Sequence, residues 1–486
     1  MPDVEGRVGS EAAEKRVPAP DLSKPRRVHI VGIAGAGMSA IATVLVQMGH
    51  QVTGTDLAGG PVMARLEALG IKVRIGHAPE IAAAADLVAV SSAIPDEDPE
   101  VLEARRRGLA VWTRSAVLAA ICRQRRTAAV SGSHGKTTTS SMLAVILLEA
   151  GWHPSMIIGG DIAGVGQGAA WDAAGEWMVV EADESDRTFI QLGAEAVAVT
   201  SVGSDHLDHY GTRDELDRAF TRFIAEAPGP AVVCVDDAGA RSVIQSMGRE
   251  AEGRLVTYGA SPNAAVRVDR VELFGDRATF YLEDKGVPRG PVSLAVPGLH
   301  NVLNATAAIA LATAIGVPWD EAVQALTAYR GVARRFETRG TLDGITFVDD
   351  YAHNPEKVAA ALATARVGSP SRVVAVFQPH RYSRTEALWR EFGPPLSDAD
   401  VLIVTGIYAA GERPRPGISG QLIAQAVRDA RPGADVRYAE TLDEAELILR
   451  EELRAGDLCI TLGAGDVTGM ASRFLKGANP NERPSG

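Results

Sequence analysis

The chain has 486 residues, 46% of them hydrophobic and 23% charged, with a formal net charge of -12. That composition builds ordinary globular cores, and the length suits about three domains of roughly 100 to 200 residues. The acidic balance excludes a broad nucleic-acid surface, because phosphate-backbone binding needs a basic field, and no apolar run reaches the ~20 residues of a membrane span.

Residues 1–26 read as a disordered polar tail with no apolar core of a signal peptide, which points to a cytoplasmic protein. From "RRVHIVGIAGAG" the pattern is strand, glycine turn, helix and strand, with strands near residues 28–31 and 51–54. A strand in "ADLVAVSSAIP" and a helix in "PEVLEARRRG" continue the alternation, so residues 27–122 form a small parallel-sheet domain. Its "GIAGAG" departs from GxGxxG because Ala34 takes the middle glycine position. Gly32, Gly35 and Gly37 still let a backbone approach a diphosphate at the N-terminus of the next helix. Asp56 stands where a ribose or base contact is often found. NAD, another nucleotide diphosphate and a plain tight turn all remain open.

A second domain spans 123–330 and opens with "RRTAAVSGSHGKTTTSSML". An apolar strand runs into Gly132, only Ser133 and His134 separate it from Gly135, and a hydroxyl-rich helix follows. The usual phosphate loop has four residues between these glycines, but the strand-turn-helix context is the one it requires. Loop N–H groups would cradle phosphates, Lys136 would neutralise the terminal one, and Thr137 would ligate Mg²⁺. Later strands fall in "EWMVVEADES", "EAVAVTSV" and "PAVVCVDD", and helices in "DELDRAFTRFIAEA" and "HNVLNATAAIALATAIG". Glu181, Asp183, Glu184 and Asp186 crowd one strand end, where carboxylates are costly unless paired or metal-bound. His206, in "SDHLDHYG", is by itself either a metal ligand or a satisfied histidine; beside Glu181 and the loop it suits a second Mg²⁺.

The third domain, 331–475, holds strands in "RVVAVFQPH", "DVLIVTGIY", "DVRYAE" and "DLCITLGAGD", each followed by a helical segment, and residues 476–486 read as a tail. Polar clusters stand at its strand ends, where open α/β sheets bind ligands, and suggest a site assembled at domain junctions. Asp349, Asp350, Tyr351 and His353 precede a proline-started helix, where a cap would need only one of them. Arg381 and Arg384, beside His380, suit a carboxylate or phosphate. Cys122, Cys234 and Cys459 lack CxxC spacing and are predicted to be buried, reduced thiols.

Together "GIAGAGMS", "GSHGKTTT", "EADESD", "SDHLDHYG", "GLHNVLNATAA", "GVARRFE", "DDYAHNP", "FQPHRYSRT", "YAAGE" and "GAGDV" run in family order over residues 30–468, and the chain resembles the ATP-dependent Mur ligases. The resemblance implies an α/β chain of three domains: an N-terminal Rossmann-like UDP-binding domain, a central P-loop ATPase-type domain and a C-terminal Rossmann-like domain that takes the amino acid. The implied activity joins L-alanine to the carboxylate of UDP-N-acetylmuramate through an acyl phosphate, in peptidoglycan precursor synthesis, with ATP and Mg²⁺ as cofactors. A related ligase adding another amino acid or a preformed peptide is the alternative. Partners are the small-molecule substrates, without nucleic acid or membrane insertion, and the oligomeric state stays open.

By the same resemblance Gly132, Ser133, His134, Gly135, Lys136, Thr137 and Thr138 hold the triphosphate, and Thr137, Glu181 and His206 hold metal. His300, Asn301 and Asn304 match the adenine-side segment, and Arg335 and Asp350 reach ATP. Tyr351, His353, Arg381 and Arg384 surround the amino acid and acyl phosphate, while Gly32, Gly35, Gly37 and Asp56 serve the UDP moiety. The catalytic set is Lys136, Glu181, His206, His353 and Arg381. Departures from the family pattern are Ala34, Ser133 for threonine, Ser201 for asparagine, and Asn354 for histidine, a form closer to the diamino-acid-adding branch; against that branch, Thr221 stands where its members place a carbamylated lysine. A switch ATPase acting through a partner would hydrolyse ATP without an amino acid, and an NAD-linked oxidoreductase would rest on the first domain alone. Lys136→Ala is expected to stop turnover with little effect on folding.

Overall fold

The computed structural model describes residues 20–91, 93–185, 187–203, 210–248 and 253–477. Its elements fall into three mostly parallel sheets, as the sequence pattern predicts. The first contains β1 (Arg27–Val31), β2 (Gln51–Asp56), β3 (Lys72–Ile75), β4 (Leu87–Val90) and β5 (Val111–Thr113), in the order β3-β2-β1-β4-β5. All its pairings are parallel, and helices connect the strands as parallel crossovers require. Packing begins ahead of residue 27: Leu22 is buried and the Arg26 N–H donates to His50 Nδ1 at 3.1 Å.

The second sheet contains β6 (Arg126–Ser131), β7 (Ser155–Ile157), β8 (Ala169–Ala170), β9 (Trp177–Glu181), β10 (Ala196–Val199), β11 (Ala231–Cys234), β12 (Leu255–Gly259), β13 (Val266–Leu273), β14 (Ala278–Asp284) and β15 (Val287–Leu294). Its order is β15-β14-β13-β12-β11-β10-β6-β9-β7-β8. From β6 the chain builds the β9 and β7 side first and then crosses back to β10. The direction of winding reverses at β6, and a ligand crevice opens at such a reversal. Residues 255–294, to which the sequence reading gave no element, carry four strands, three of them an antiparallel meander. Their alternation is broken by shifts in register and by the Val-Pro-Arg-Gly-Pro stretch of β15, which hides the period of two.

The third sheet contains β16 (Glu337–Leu342), β17 (Ile345–Asp350), β18 (Arg372–Phe377), β19 (Val401–Thr405), β20 (Asp435–Ala439) and β21 (Asp457–Leu462), ordered β16-β17-β21-β18-β19-β20. Only the β16–β17 pair is antiparallel. The final helix runs Met470–Gly477, two residues into the expected C-terminal tail.

The helix after the β6 loop, Lys136–Glu149, is buried on nearly every face. Met142, Leu143, Ile146 and Leu147 pack in one core with Ala305, Ala308 and Ile309 of the Leu299–Ala314 helix. Apolar contact all round the helix fixes its N-terminus relative to the sheet. The three cysteines are buried and, among the described residues, form no disulfide, as predicted. Among the described residues no helix is long and apolar enough to cross a membrane.

Candidate active site

The loop after β6 is compressed against the end of β10. Gly132 and Gly135 have φ of 138° and 79°, where a side chain is strained. Neither has room for one: a Cβ on Gly132 would lie 2.9 Å from the Ser201 amide nitrogen, and a Cβ on Gly135 would meet the Asn304 carboxamide. The two-residue spacing is therefore a tight turn clamped from both sides.

Much of that clamp is hydrogen bonding. The Ser133 N–H donates to the Ser201 carbonyl at 3.1 Å, and the His134 N–H donates to Ser201 Oγ at 3.0 Å. The Gly203 N–H donates back to Ser133 Oγ at 2.7 Å, and the Thr200 hydroxyl donates to the His134 carbonyl. The Ser133 and His134 N–H groups thus brace the loop against β10, and the first-turn amides of the helix from Lys136 lack intrahelical partners. Ser201, a departure from the family pattern, supplies both bracing acceptors.

Lys136 Nζ donates to the Gly132 carbonyl at 2.7 Å and lies 2.8 Å from Glu184 Oε2. Burial works against its charge, but Glu184, then Asp183 and Glu181, outweigh that and hold its pKa above the ordinary lysine value. The Thr137 hydroxyl donates to Glu181 Oε1 at 3.1 Å, and the other Glu181 oxygen accepts from the Gly159 N–H at 2.8 Å. A hydroxyl and a carboxylate side by side at a phosphate loop are hard oxygen donors and fit Mg²⁺, which keeps its remaining positions for water and phosphate. Among the described residues no three His, Cys, Asp or Glu side chains gather as a metal cluster. His206, the other expected metal ligand, lies outside the described residues.

Asn301 and Asn304, expected on the adenine side, sit beneath the loop. Asn304 Oδ1 accepts from Thr139 Oγ1 at 3.3 Å, its amide donates to Asn301 Oδ1 at 3.4 Å, and Asn301 donates to the Pro297 carbonyl at 2.6 Å. His300 is neutral, its pKa lowered to about 4 by burial.

The linker to the third sheet points two adjacent arginines in different directions. Arg335 Nη2 donates to the Thr137 hydroxyl at 3.2 Å, and so stands at the loop. Arg334, which the sequence reading passed over, donates to the carbonyls of Gly463 and Gly465 at 2.7 and 3.2 Å, beyond the end of β21. Its Nε stands 3.6 Å from fully buried Asp349. Asp350 accepts the Phe336 and Ala352 N–H groups, both at 2.7 Å, so its carboxylate shapes the linker turn. Burial raises its pKa against the pull of Arg335.

Tyr351, His353, His380 and Tyr408 form a row of rings. Tyr351 and His353 meet edge-on with centroids 5.0 Å apart, and His380 stacks on Tyr408 at 5.8 Å. Burial, then Lys357 and Arg384, lowers the His353 pKa to about 2; burial, then Arg384 and Arg381, lowers that of His380 to about 4. Both rings are neutral at physiological pH. His353 Nδ1 lies 2.8 Å from the Tyr351 carbonyl, which accepts only, so Nδ1 carries the proton and Nε2 keeps its lone pair. Arg384 donates to His380 Nδ1 at 2.8 Å. Arg381 is exposed, at a strained φ of 70° between β18 and the next helix. Asn354 is turned away: it caps the Pro355–Val367 helix, its Oδ1 accepting the Lys357 N–H at 3.0 Å.

In the first sheet the Gly32 and Ile33 N–H groups donate to the Thr55 carbonyl at 2.9 and 3.0 Å. Gly35 starts the Ala36–Gln47 helix as its N-cap, and Gly37 lies against Arg114, whose Cδ a Cβ there would approach to 3.1 Å. The Asp56 carboxylate accepts from the Ala34 N–H at 2.9 Å and the Ala58 N–H at 3.3 Å, and fixes the glycine turn.

A parallel sheet with a glycine loop, lysine and threonine at its winding reversal, flanked in sequence by two further α/β domains, defines a phosphate-loop α/β protein. Three family models cover most of the chain: Mur ligase family, catalytic domain, over residues 27–126; Mur ligase middle domain over 130–312; and Mur ligase, glutamate ligase domain, over 334–465. The chain belongs to the Mur ligase family. It is 42% identical over 460 residues to the UDP-N-acetylmuramate–L-alanine ligase of Desulforamulus reducens, covering 93% of this chain and 98% of the relative. It is 43% identical over 455 residues to the enzyme of the same name from Anaeromyxobacter dehalogenans, with coverage of 93% and 98%. The crystal structure of the UDP-N-acetylmuramate–alanine ligase of Thermotoga maritima superimposes with a TM-score of 0.80 at 28% identity, over 93% of this chain and 98% of that one.

Proposed function

We propose that this chain is an ATP-dependent ligase joining L-alanine to the carboxylate of UDP-N-acetylmuramate, a cytoplasmic step in peptidoglycan precursor synthesis. Identity of 42% across 98% of a ligase that carries this activity in its name supports the reading. The observation that carries it within the structure is the convergence of Lys136, Thr137, Glu181 and Arg335 at the end of β6. We take the three domains as residues 27–122, 123–330 and 331–475, for UDP, ATP and the amino acid respectively.

On this reading the γ-phosphoryl group passes to an oxygen of the substrate carboxylate and ADP leaves. The alanine amine then attacks the acyl carbon, loses a proton, and inorganic phosphate departs as the amide forms. Catalysis is mainly positioning and charge neutralisation. The first-turn amides and Lys136 hold the phosphates, and Lys136 meets charge developing on the transferred group. Thr137 and Glu181 would hold Mg²⁺, whose chemistry here is to neutralise phosphate charge, and His206 belongs to the same proposed set. The Nε2 lone pair of His353 accepts from the incoming amine, with Tyr351 as the wall beside it. Arg381 and Arg384 face its carboxylate and the acyl phosphate. Asp350 supports ATP indirectly, through the turn that presents Arg335, and Asn301 and Asn304 act by bracing the loop. The glycine turn at Gly32, Gly35 and Gly37 takes the diphosphate, with Asp56 holding the turn.

Purified protein supplied with Mg²⁺, ATP and UDP-N-acetylmuramate, and offered single amino acids and a tripeptide in turn, tests the proposal. Nucleotide-linked alanyl product and stoichiometric phosphate are expected with L-alanine. Phosphate release that ignores both co-substrates would sink it, and preferential use of another amine would replace the alanine assignment.

A further inference from the structure

Among the described residues, Glu184 is the one strongly buried carboxylate at the loop that the proposed reaction leaves unused. It stands at the same strand end as Glu181, yet the two face different groups: Glu181 the Thr137 hydroxyl, Glu184 the Lys136 ammonium. The Glu184 side chain is 1% exposed, that of Lys136 14%. The Glu184 backbone is pinned as well, its carbonyl accepting from the hydroxyl of buried Tyr210 at 2.6 Å. An ammonium has three donors. The Gly132 carbonyl, at 2.7 Å, and Glu184 Oε1, at 3.0 Å, accept from two of them, and one is left for a phosphate oxygen.

We propose that Glu184 is the positioning residue of the loop lysine: a fixed internal anion that aims the Lys136 ammonium, speeds phosphoryl transfer and weakens binding of the nucleotide ground state. The proposal rests on the reading of the loop as the ATP site. An anchored carboxylate in contact with the ammonium repels an arriving triphosphate, so the pair discriminates against uniform binding. It also spares the lysine from searching for its reactive position, because the geometry is set before the nucleotide arrives. A residue that merely supported the fold would lower affinity and rate together. Loss of a metal ligand would weaken nucleotide binding in the presence of Mg²⁺.

The test compares Glu184→Gln and Glu184→Asp with the parent chain. Calorimetric titration with ADP and with a non-hydrolysable ATP analogue, in the presence of Mg²⁺ and without other substrates, gives Kd; steady-state ligation gives kcat. For Glu184→Gln, Kd is expected to fall about fivefold and kcat to fall at least about tenfold. Glu184→Asp keeps the charge and is expected to return Kd towards the parent value and to recover more turnover than the glutamine variant. Weaker or unchanged nucleotide binding in Glu184→Gln, or a kcat within about twofold of the parent, would overturn the proposal. If the glutamine variant melts early, Glu184→Asp carries the test, with the same opposed changes at smaller size. The binding measurements need no ligation, so a parent chain that binds nucleotide but forms no amide refutes the ligase reading and leaves the affinity comparison standing.

Discussion

Replacing Lys136 by alanine is expected to do more than stop turnover, because the ammonium is the charge partner of a carboxylate that is 1% exposed. With Lys136 gone, the cheapest response of Glu184 is to take up a proton. From the ordinary glutamate value of 4.5, at about 1.36 kcal/mol per pH unit, protonation costs roughly 3.4 kcal/mol at pH 7. That lies in the range of about 3–5 kcal/mol for removing one partner of a buried ion pair. The sign follows from proton binding. Burial already raises the Glu184 pKa in the parent against the pull of Lys136; losing the ammonium raises it further, so the added penalty is absent well below pH 4.5 and grows as pH rises. At pH 5 it is about 0.7 kcal/mol. Denaturant unfolding of the nucleotide-free protein at both pH values, followed by tryptophan fluorescence, measures it; Trp152 and Trp177 stand side by side in the same domain, with ring centroids 6.5 Å apart. A loss below about 1 kcal/mol at pH 7, or one of equal size at pH 5, would refute the counter-ion argument. The sequence alone led to the expectation that this substitution spares folding; the burial of Glu184 leads to the opposite expectation, and the unfolding measurement decides between them.

Gly135→Ala places a methyl group at φ 79° against the Asn304 carboxamide, and is expected to cost about 2 kcal/mol or more and to abolish nucleotide binding; near-parent affinity would show that the loop relaxes freely. Asn354→Ala removes a helix N-cap and should lower stability by about 1 kcal/mol while leaving the choice of amino acid unchanged. A shift in that choice, measured as relative kcat/KM for alanine, glycine and serine, would return Asn354 to the substrate. Arg381→Ala is expected to raise the KM for alanine more than the KM for ATP, and equal changes would count against its place beside the amino acid.

Much of the fold was legible because its signals are local. Apolar runs such as "TAAV" and "VVAVF", glycine turns and amphipathic helices mark parallel α/β units within a few residues of one another. The loop's membership in a strand-turn-helix, and the presence of Lys136 and Thr137 at its helix start, follow from the same short range. The meander over residues 266–294 was missed because bulges and prolines erase its alternation.

Partners were less legible than positions. Sequence order determined that an acidic cluster follows β9 and that two arginines lie in the linker. Only the tertiary structure decided that Glu184, 48 residues from Lys136, and not Glu181, meets the ammonium. It also decided that Ser201, 67 residues from His134, takes the loop amides, and that Arg334 and Arg335 part towards different loops. The physical reason is sheet order. Parallel crossovers set β6 beside β10, with the β9 end across from it, so strand ends distant in sequence share one crevice, and which side chain fills it depends on packing that no local period encodes.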